Sequence, residues 1–210
     1  MKSITYTLLS DGSSDRALMP ILTWLLNQHL PNVAIQAQWA DRSRWPSPGA
    51  DLLERIPLAL HWEPCHLLFV HRDVEKQSWQ ERVTEIRAAI TKLTLNHKPV
   101  VCVVPVRMTE AWLLGSVDAI RAAAGNEAGD TSLTIPAATK IELLPSPKQL
   151  LLNLLQQASG LSGRRLRDFR AHQRIHDLAD RIDHFEYLRV LPAFQRLEAE
   201  LRSVIEQLNV

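Results

Sequence analysis

Four short apolar runs, each followed by a polar turn and a helical spacing, organise the first half of this chain. Residues 3–10, 33–39, 66–71 and 99–106 are short enough to read as strands. Their apolar character fits a sheet buried on both faces. Between them, Leu18, Ile21, Leu22 and Leu25 form one helical face. Residues 50–62 predict a second helix despite Pro57, and Trp79, Val83, Ile86, Ile90 and Leu93 mark a third. This β-α-β-α-β-α-β order predicts an α/β domain, a parallel sheet with helices on both faces. The C-terminal strand ends of such a sheet share one edge, and ligands bind there.

The character changes after the fourth strand. Thr109 is placed to cap a helix beginning Glu110-Ala111-Trp112-Leu113-Leu114, and residues 117–124 predict another that Gly125 can end. Residues 126–147, with Gly129, Pro136, Pro145 and Pro147, read mostly as loop. From 148 onward the spacing is helical, and Leu191, Phe194, Leu197, Leu201, Val204 and Leu208 form the stripe of the last helix. The chain therefore divides into an α/β core over 1–125 and a loop and helical extension over 126–210, packed on that core.

A length of 210 residues suits this arrangement, and 46% apolar with 22% charged residues is ordinary for a soluble globular protein. The net charge of +1 means that any basic surface is local. Cys65 and Cys102 lack CxxC spacing and read as core thiols of a reducing compartment. No run approaches the ~18 apolar residues of a membrane span. No basic segment followed by a long apolar one opens the chain, so the expectation is a cytoplasmic protein with no membrane partner. Five of the six tryptophans fall in amphipathic patterns and read as core. Trp45, in the polar loop 41–49, is the one placed to contact a partner.

Acidic residues follow three of the apolar runs. Asp11 and Asp15 sit in Ser10-Asp11-Gly12-Ser13-Ser14-Asp15, where Gly12 supplies a tight turn and Ser13 or Ser14 can cap the helix. Asp73 and Glu75 sit in His71-Arg72-Asp73-Val74-Glu75, and Glu110 follows the fourth run. Carboxylates converging from several strand ends would suit Mg²⁺ or Mn²⁺ and the phosphoryl-transfer chemistry those ions serve. Each residue also has an ordinary alternative. Asp11 and Asp15 can form a turn and favour a helix start, Asp73 and Glu75 can be solvated loop, and Glu110 can favour a helix N-terminus.

These residues carry a resemblance. Asp11-Gly12-x-x-Asp15 resembles the acidic-Gly-x-x-Asp motif of TOPRIM domains, and Asp73-Val74-Glu75 resembles their Asp-x-Asp motif. The stretch Pro105-Val106-Arg107-Met108-Thr109-Glu110-Ala111-Trp112-Leu113-Leu114 is similar to that of a bacterial family of small TOPRIM-like proteins with a Glu-Ala-Trp-Leu-Leu motif. The resemblance covers most of the chain. It implies a TOPRIM-like, Rossmann-like fold related to nucleases of the overcoming-lysogenization-defect type. It also implies a Mg²⁺- or Mn²⁺-dependent nuclease or phosphoryl-transfer component acting on nucleic acid, with a possible ATPase partner in phage defence. The alternative it implies is a non-catalytic TOPRIM-like subunit that docks on an ATPase or another protein. Asp11, Asp73 and Glu75 are then the catalytic candidates, and Asp11, Asp15, Asp73, Glu75 and Glu110 the metal candidates. Two departures stand out. Asp11 occupies a position where TOPRIM enzymes usually have Glu, and the family's acidic pair aligns either with Asp73 and Glu75 or with His71 and Asp73.

One basic run adds a nucleic-acid candidate. If Gly163–Arg174 is one helix, at about 100° per residue Arg164, Arg167, Arg170 and Arg174 fall within about a third of its circumference. Such a stripe suits a phosphate backbone, and a solvated or protein-paired face is the alternative. The chain has no Walker loop and no Gly-x-Ser-x-Gly elbow, and His172 with His176 lacks a third zinc ligand.

Overall fold

The computed structural model describes residues 3–47, 49–74, 77–106 and 108–208. The strands are β1 (Ser3–Leu9), β2 (Ala34–Trp39), β3 (Leu67–His71) and β4 (Val100–Val103), all parallel, in the order β2-β1-β3-β4. The first three match their predicted runs, whereas β4 stops at Val103, short of 106. Helices α1 (Leu18–His29), α2 (Leu52–Trp62) and α3 (Trp79–Lys92) connect them. The chain runs from β1 outward to β2, then crosses back so that β3 pairs with the other side of β1. That reversal makes the crevice at the C-terminal ends of β1 and β3 the topological switch point, where open α/β sheets bind ligands.

Strand alternation distributes the core over two faces. Tyr6, Leu8, Phe69, Val101 and Val103 pack on one side with α1 and the C-terminal helices. Leu9, Leu68, Val70, Val100 and Cys102 pack on the other with α2 and α3. The C-terminal part comprises α4 (Val117–Ala123), α5 (Pro147–Ala158), α6 (Gly163–Asp168), α7 (Ile175–Asp180) and α8 (Pro192–Gln207). Leu151, Leu155, Leu178, Phe194 and Leu201 belong to the same core cluster as Tyr6 and Phe69. At the β4 edge, Glu200 of α8 accepts the Cys102 backbone N–H at 3.0 Å. Arg87 of α3 pairs with Glu200 and donates to the Val100 carbonyl. This cover satisfies edge groups that would otherwise invite another strand.

Several local expectations need correction. Gly12 is extended (φ −142°) and a Cβ there would make only ordinary contacts, with Asp15 Oδ2 at 3.7 Å and Ser14 Oγ at 3.8 Å, so the turn does not require glycine. Neither Ser13 nor Ser14 caps it; both lie inside a 3-10 turn, Ser13–Ala17, whose leading residue is Gly12. Thr109 caps no helix. It opens a 3-10 turn, Thr109–Leu113, that buries Ala111, Trp112 and Leu113. Trp45 is buried on the α2–α3 face, so it presents no partner surface. The basic run is not one helix either. Helix α6 stops at Asp168, Phe169 is extended, and a separate 3-10 turn spans Ala171–Arg174. Arg164, Arg167, Arg170 and Arg174 are exposed, but Arg164 and Arg167 lie on α6, Arg174 on the 3-10 turn and Arg170 between the two, so they are not a stripe of one helix.

A charged cluster on α8 ties the extension to α1. Glu198 is 7% exposed, with His29 Nε2 at 2.9 Å, Arg189 Nη2 at 3.2 Å and Arg202 Nη2 at 3.3 Å. Burial works against its carboxylate, yet His29, Arg189 and Arg202 outweigh it and hold the carboxyl below the usual range. A carboxyl depressed on folding stabilises the fold above its unfolded pKa, about 4.3, and that contribution is lost as pH falls through the folded value. Glu198→Gln is therefore expected to melt lower at neutral pH, with a shallower loss of stability on acidification. Thermal melts across the acid range check this, and parallel acid limbs in the two proteins would refute it.

Candidate metal centre

Sequence alternation delivers different side chains to the two faces of the switch point. His71 ends β3 on the α1 face, continuing Leu67 and Phe69, and Asp73 follows two residues later. Asp15 reaches the same place from the 3-10 turn after β1. Its Oδ2 accepts the Gly12 backbone N–H at 2.8 Å, and Thr109 Oγ1 stands 3.4 Å from its Oδ1. His71 is 1% exposed and lies between the two carboxylates, Nδ1 at 3.5 Å from Asp15 Oδ2 and Nε2 at 3.3 Å from Asp73 Oδ1. Neither contact is aligned as a hydrogen bond. Both ring nitrogens and Asp73 Oδ1 are buried with no hydrogen-bond partner.

Buried polar atoms are normally satisfied; here the two ring nitrogens diverge, Nδ1 toward Asp15 and Nε2 toward Asp73, and neither completes an aligned hydrogen bond. One ligand atom from each of Asp15, His71 and Asp73 lies within 4.8 Å of the others, so the group could hold a metal ion. Burial lifts the Asp15 carboxyl above the usual range against the pull of His71 and the Gly12 N–H. For His71, burial disfavours the imidazolium, but Asp73, Asp15 and Asp11 outweigh it and raise the ring above its ordinary value. Both shifts favour the protonated forms, with burial the larger cause at Asp15 and the facing carboxylates the cause at His71.

Comparisons with protein families, with curated proteins and with solved structures find no match to this chain. The geometry alone therefore carries the assignment of residues. Of the five metal candidates, Asp15 and Asp73 are brought together. Asp11 turns to the opposite face, where Arg72 Nη1 lies 2.5 Å and Arg55 Nη1 3.4 Å from its Oδ1. Glu110 is buried, with Lys148 Nζ of α5 at 2.9 Å. Glu75 lies outside the described residues. His71 was legible only as one of two alignments of the acidic pair; its place at the end of a fully buried strand was the available signal. Among the described residues no helix is long and apolar enough to cross a membrane.

Proposed function

We propose that this protein is a divalent-metal-dependent phosphoryl-transfer enzyme acting on nucleic acid, built on a TOPRIM-like arrangement of its parallel sheet. The observation that carries this reading is the buried His71 set between Asp15 and Asp73 at the switch point, its ring nitrogens facing both carboxylates without an aligned hydrogen bond. The pairing of His71 with Asp73 supports the alignment of those two residues with the family's acidic pair. Asp15, His71 and Asp73 would hold the ion, which when bound would supply charge stabilisation at a phosphate. Two carboxylates with one imidazole suit Mn²⁺ better than Mg²⁺, because imidazole is a ligand of transition ions. If one ring nitrogen of His71 serves as ligand, the other faces a carboxylate that fixes the ring and raises its basicity. Thr109 and the Gly12 N–H orient Asp15 in the same way.

The direct test incubates the protein with labelled DNA and RNA in Mn²⁺ or Mg²⁺. Metal-dependent cleavage by the wild type, absent in Asp73→Asn, is expected. A second reading is favoured by the engagement of Asp11 with Arg72 and Arg55, which removes the family's first acidic residue from the metal group. In that reading the chain is a non-catalytic subunit that docks on an ATPase or another protein. Mn²⁺ binding with no cleavage of any nucleic acid would support it.

The exposed arginines supply a separate test of the nucleic-acid assignment. Charge-driven binding releases counterions, with a salt slope of about −0.9 per phosphate neutralised on duplex DNA. Replacing Arg167, Arg170 and Arg174 with Gln is expected to weaken DNA binding and flatten that slope. The fold should survive, since exposed charges contribute little to stability. Binding isotherms at several salt concentrations check this, and an unchanged slope would remove these arginines from the interface.

A further inference from the structure

Most arginines of the C-terminal part are partnered, and those that are not fall together. Arg121 lies by Asp118, Arg164 by Asp168, Arg181 by Asp177 and Glu127, and Arg189 and Arg202 by Glu198. Arg196 lies over the Trp79 ring. Arg165, Arg167, Arg170 and Arg174 are exposed and have no carboxylate partner among the described residues. Of these four, Arg165, Arg170 and Arg174 line one cavity of about 390 Å³, while Arg167 lies outside it. The break in the basic run brings them there. Helix α6 ends at Asp168, Phe169 is extended, and the turn Ala171–Arg174 follows. Side chains that one helix would have spread along its axis therefore face one space. Phe169 packs against the main core cluster, and the Arg174 guanidinium lies over its ring, 5.8 Å from the centroid. That contact fixes one cation at the cavity wall. The one acid that lines the cavity, Asp168, has Oδ2 3.7 Å from Arg164 Nε.

A guanidinium keeps its charge at any pH the fold survives, so three of them around one space repel until an anion enters. Guanidinium recognises carboxylate and phosphate. A carboxylate accepts within its own plane, whereas the tetrahedral oxygens of a phosphate can be reached from several directions at once. We propose that Arg165, Arg170 and Arg174 form a subsite for a phosphate group. The inference deepens the phosphoryl-transfer reading and rests on it for the substrate. Helix α7 begins directly after Arg174 and packs on the turn that carries Asp15 and on the turn Thr109–Leu113. Its 6 residues span about 9 Å, so a strand seated in the cavity is held on the side of the molecule where the metal group lies. The subsite takes in Arg165 and leaves out Arg164 and Arg167, so it is a different set from the four arginines that helical spacing selects.

The test uses the full chain in a metal chelator, so that binding is read without cleavage. The probes are labelled single-stranded DNA with and without a 5′-phosphate, and inorganic phosphate at constant ionic strength. Arg165→Gln and Arg170→Gln are each expected to weaken binding about five- to tenfold, the loss of one charge-assisted contact. Arg167→Gln removes the same charge from the same helix outside the cavity, and should weaken it by less than about twofold. All three variants should melt with the wild type, because exposed charges contribute little to stability. Equal binding of the two DNAs, lost in Arg165→Gln, assigns the cavity to a backbone phosphate. Tighter binding of the phosphorylated strand assigns it to a strand end, and a response to inorganic phosphate alone assigns it to a free phosphate-bearing ligand. Each of these supports the subsite. Equal losses in Arg165→Gln and Arg167→Gln would reduce the effect to overall charge and overturn it. So would unchanged affinity in Arg165→Gln and Arg170→Gln, or no binding of any probe. Cleavage assayed separately in Mn²⁺ keeps the two ideas apart. Binding that depends on Arg165 with no cleavage by the wild type leaves the subsite and removes the phosphoryl-transfer reading. Cleavage by the wild type with unchanged binding in Arg165→Gln removes the subsite alone.

Discussion

Saturating Mn²⁺ is expected to raise the melting temperature of the wild-type protein and to leave that of His71→Asn unmoved. The native state holds Asp15 and Asp73 on either side of His71, a preformed set of donors that the unfolded chain lacks. An ion that binds only the folded state stabilises it by mass action, about 2.7 kcal/mol at a hundredfold excess over Kd. For a chain of 210 residues that corresponds to roughly 5–10 °C. In His71→Asn two carboxylates remain without the imidazole, and in Asp73→Ala the imidazole remains beside one carboxylate. Each variant is compared with its own metal-free melt, so any intrinsic destabilisation drops out. The shift should also grow as pH rises, because the ligands must shed protons to bind. Equal Mn²⁺ shifts in wild type and both variants would place the ion elsewhere and remove the centre.

The second large effect concerns Trp112. Its ring is fully buried, 5.5 Å from that of Phe194 on α8 in an edge-on arrangement, and its carbonyl accepts the Tyr187 hydroxyl at 2.6 Å. Trp112 thus joins the turn after β4 to the C-terminal helices. Truncating a buried aromatic to alanine costs about 3–5 kcal/mol through lost burial and the cavity left behind. Trp112→Ala is expected to lose that much in urea unfolding, enough to threaten a marginally stable fold. Trp112→Phe should lose far less. It keeps an aromatic contact and removes an indole N–H that is buried with no partner. Near-equal losses in the two variants would mean that ring packing against Phe194 is not what Trp112 contributes. The same observation accounts for most of the Glu-Ala-Trp-Leu-Leu motif in structural terms. Ala111, Trp112, Leu113 and Leu114 are core, and only Glu110 presents a charge, to Lys148.

Much of the fold was legible because its signals are local. The apolar runs at 3–10, 33–39 and 66–71 became strands, and the spacing from Trp79 became α3. The stripe from Phe194 to Val204 became the buried face of α8. The shortfalls are equally specific. Extending the helical reading across 163–174 failed at Phe169, whose extended backbone breaks a pattern that arginine spacing alone satisfies. Reading Trp45 from its polar neighbours failed because the loop folds inward onto the α2–α3 face.

Strand length and alternation, which depend on residues close in the chain, were determined by the sequence itself. So was the placement of acidic residues just beyond the strand ends. Which carboxylate meets which partner was decided only by the tertiary structure. Asp15 and Asp11 are four residues apart, yet one faces His71 and the other Arg72, because successive residues at the end of β3 point to opposite faces. Arg55 reaches Asp11 from 44 residues away and Thr109 reaches Asp15 from 94. No local pattern encodes contacts of that range; they exist once β3 has paired beside β1 and the two faces have been closed by different helices.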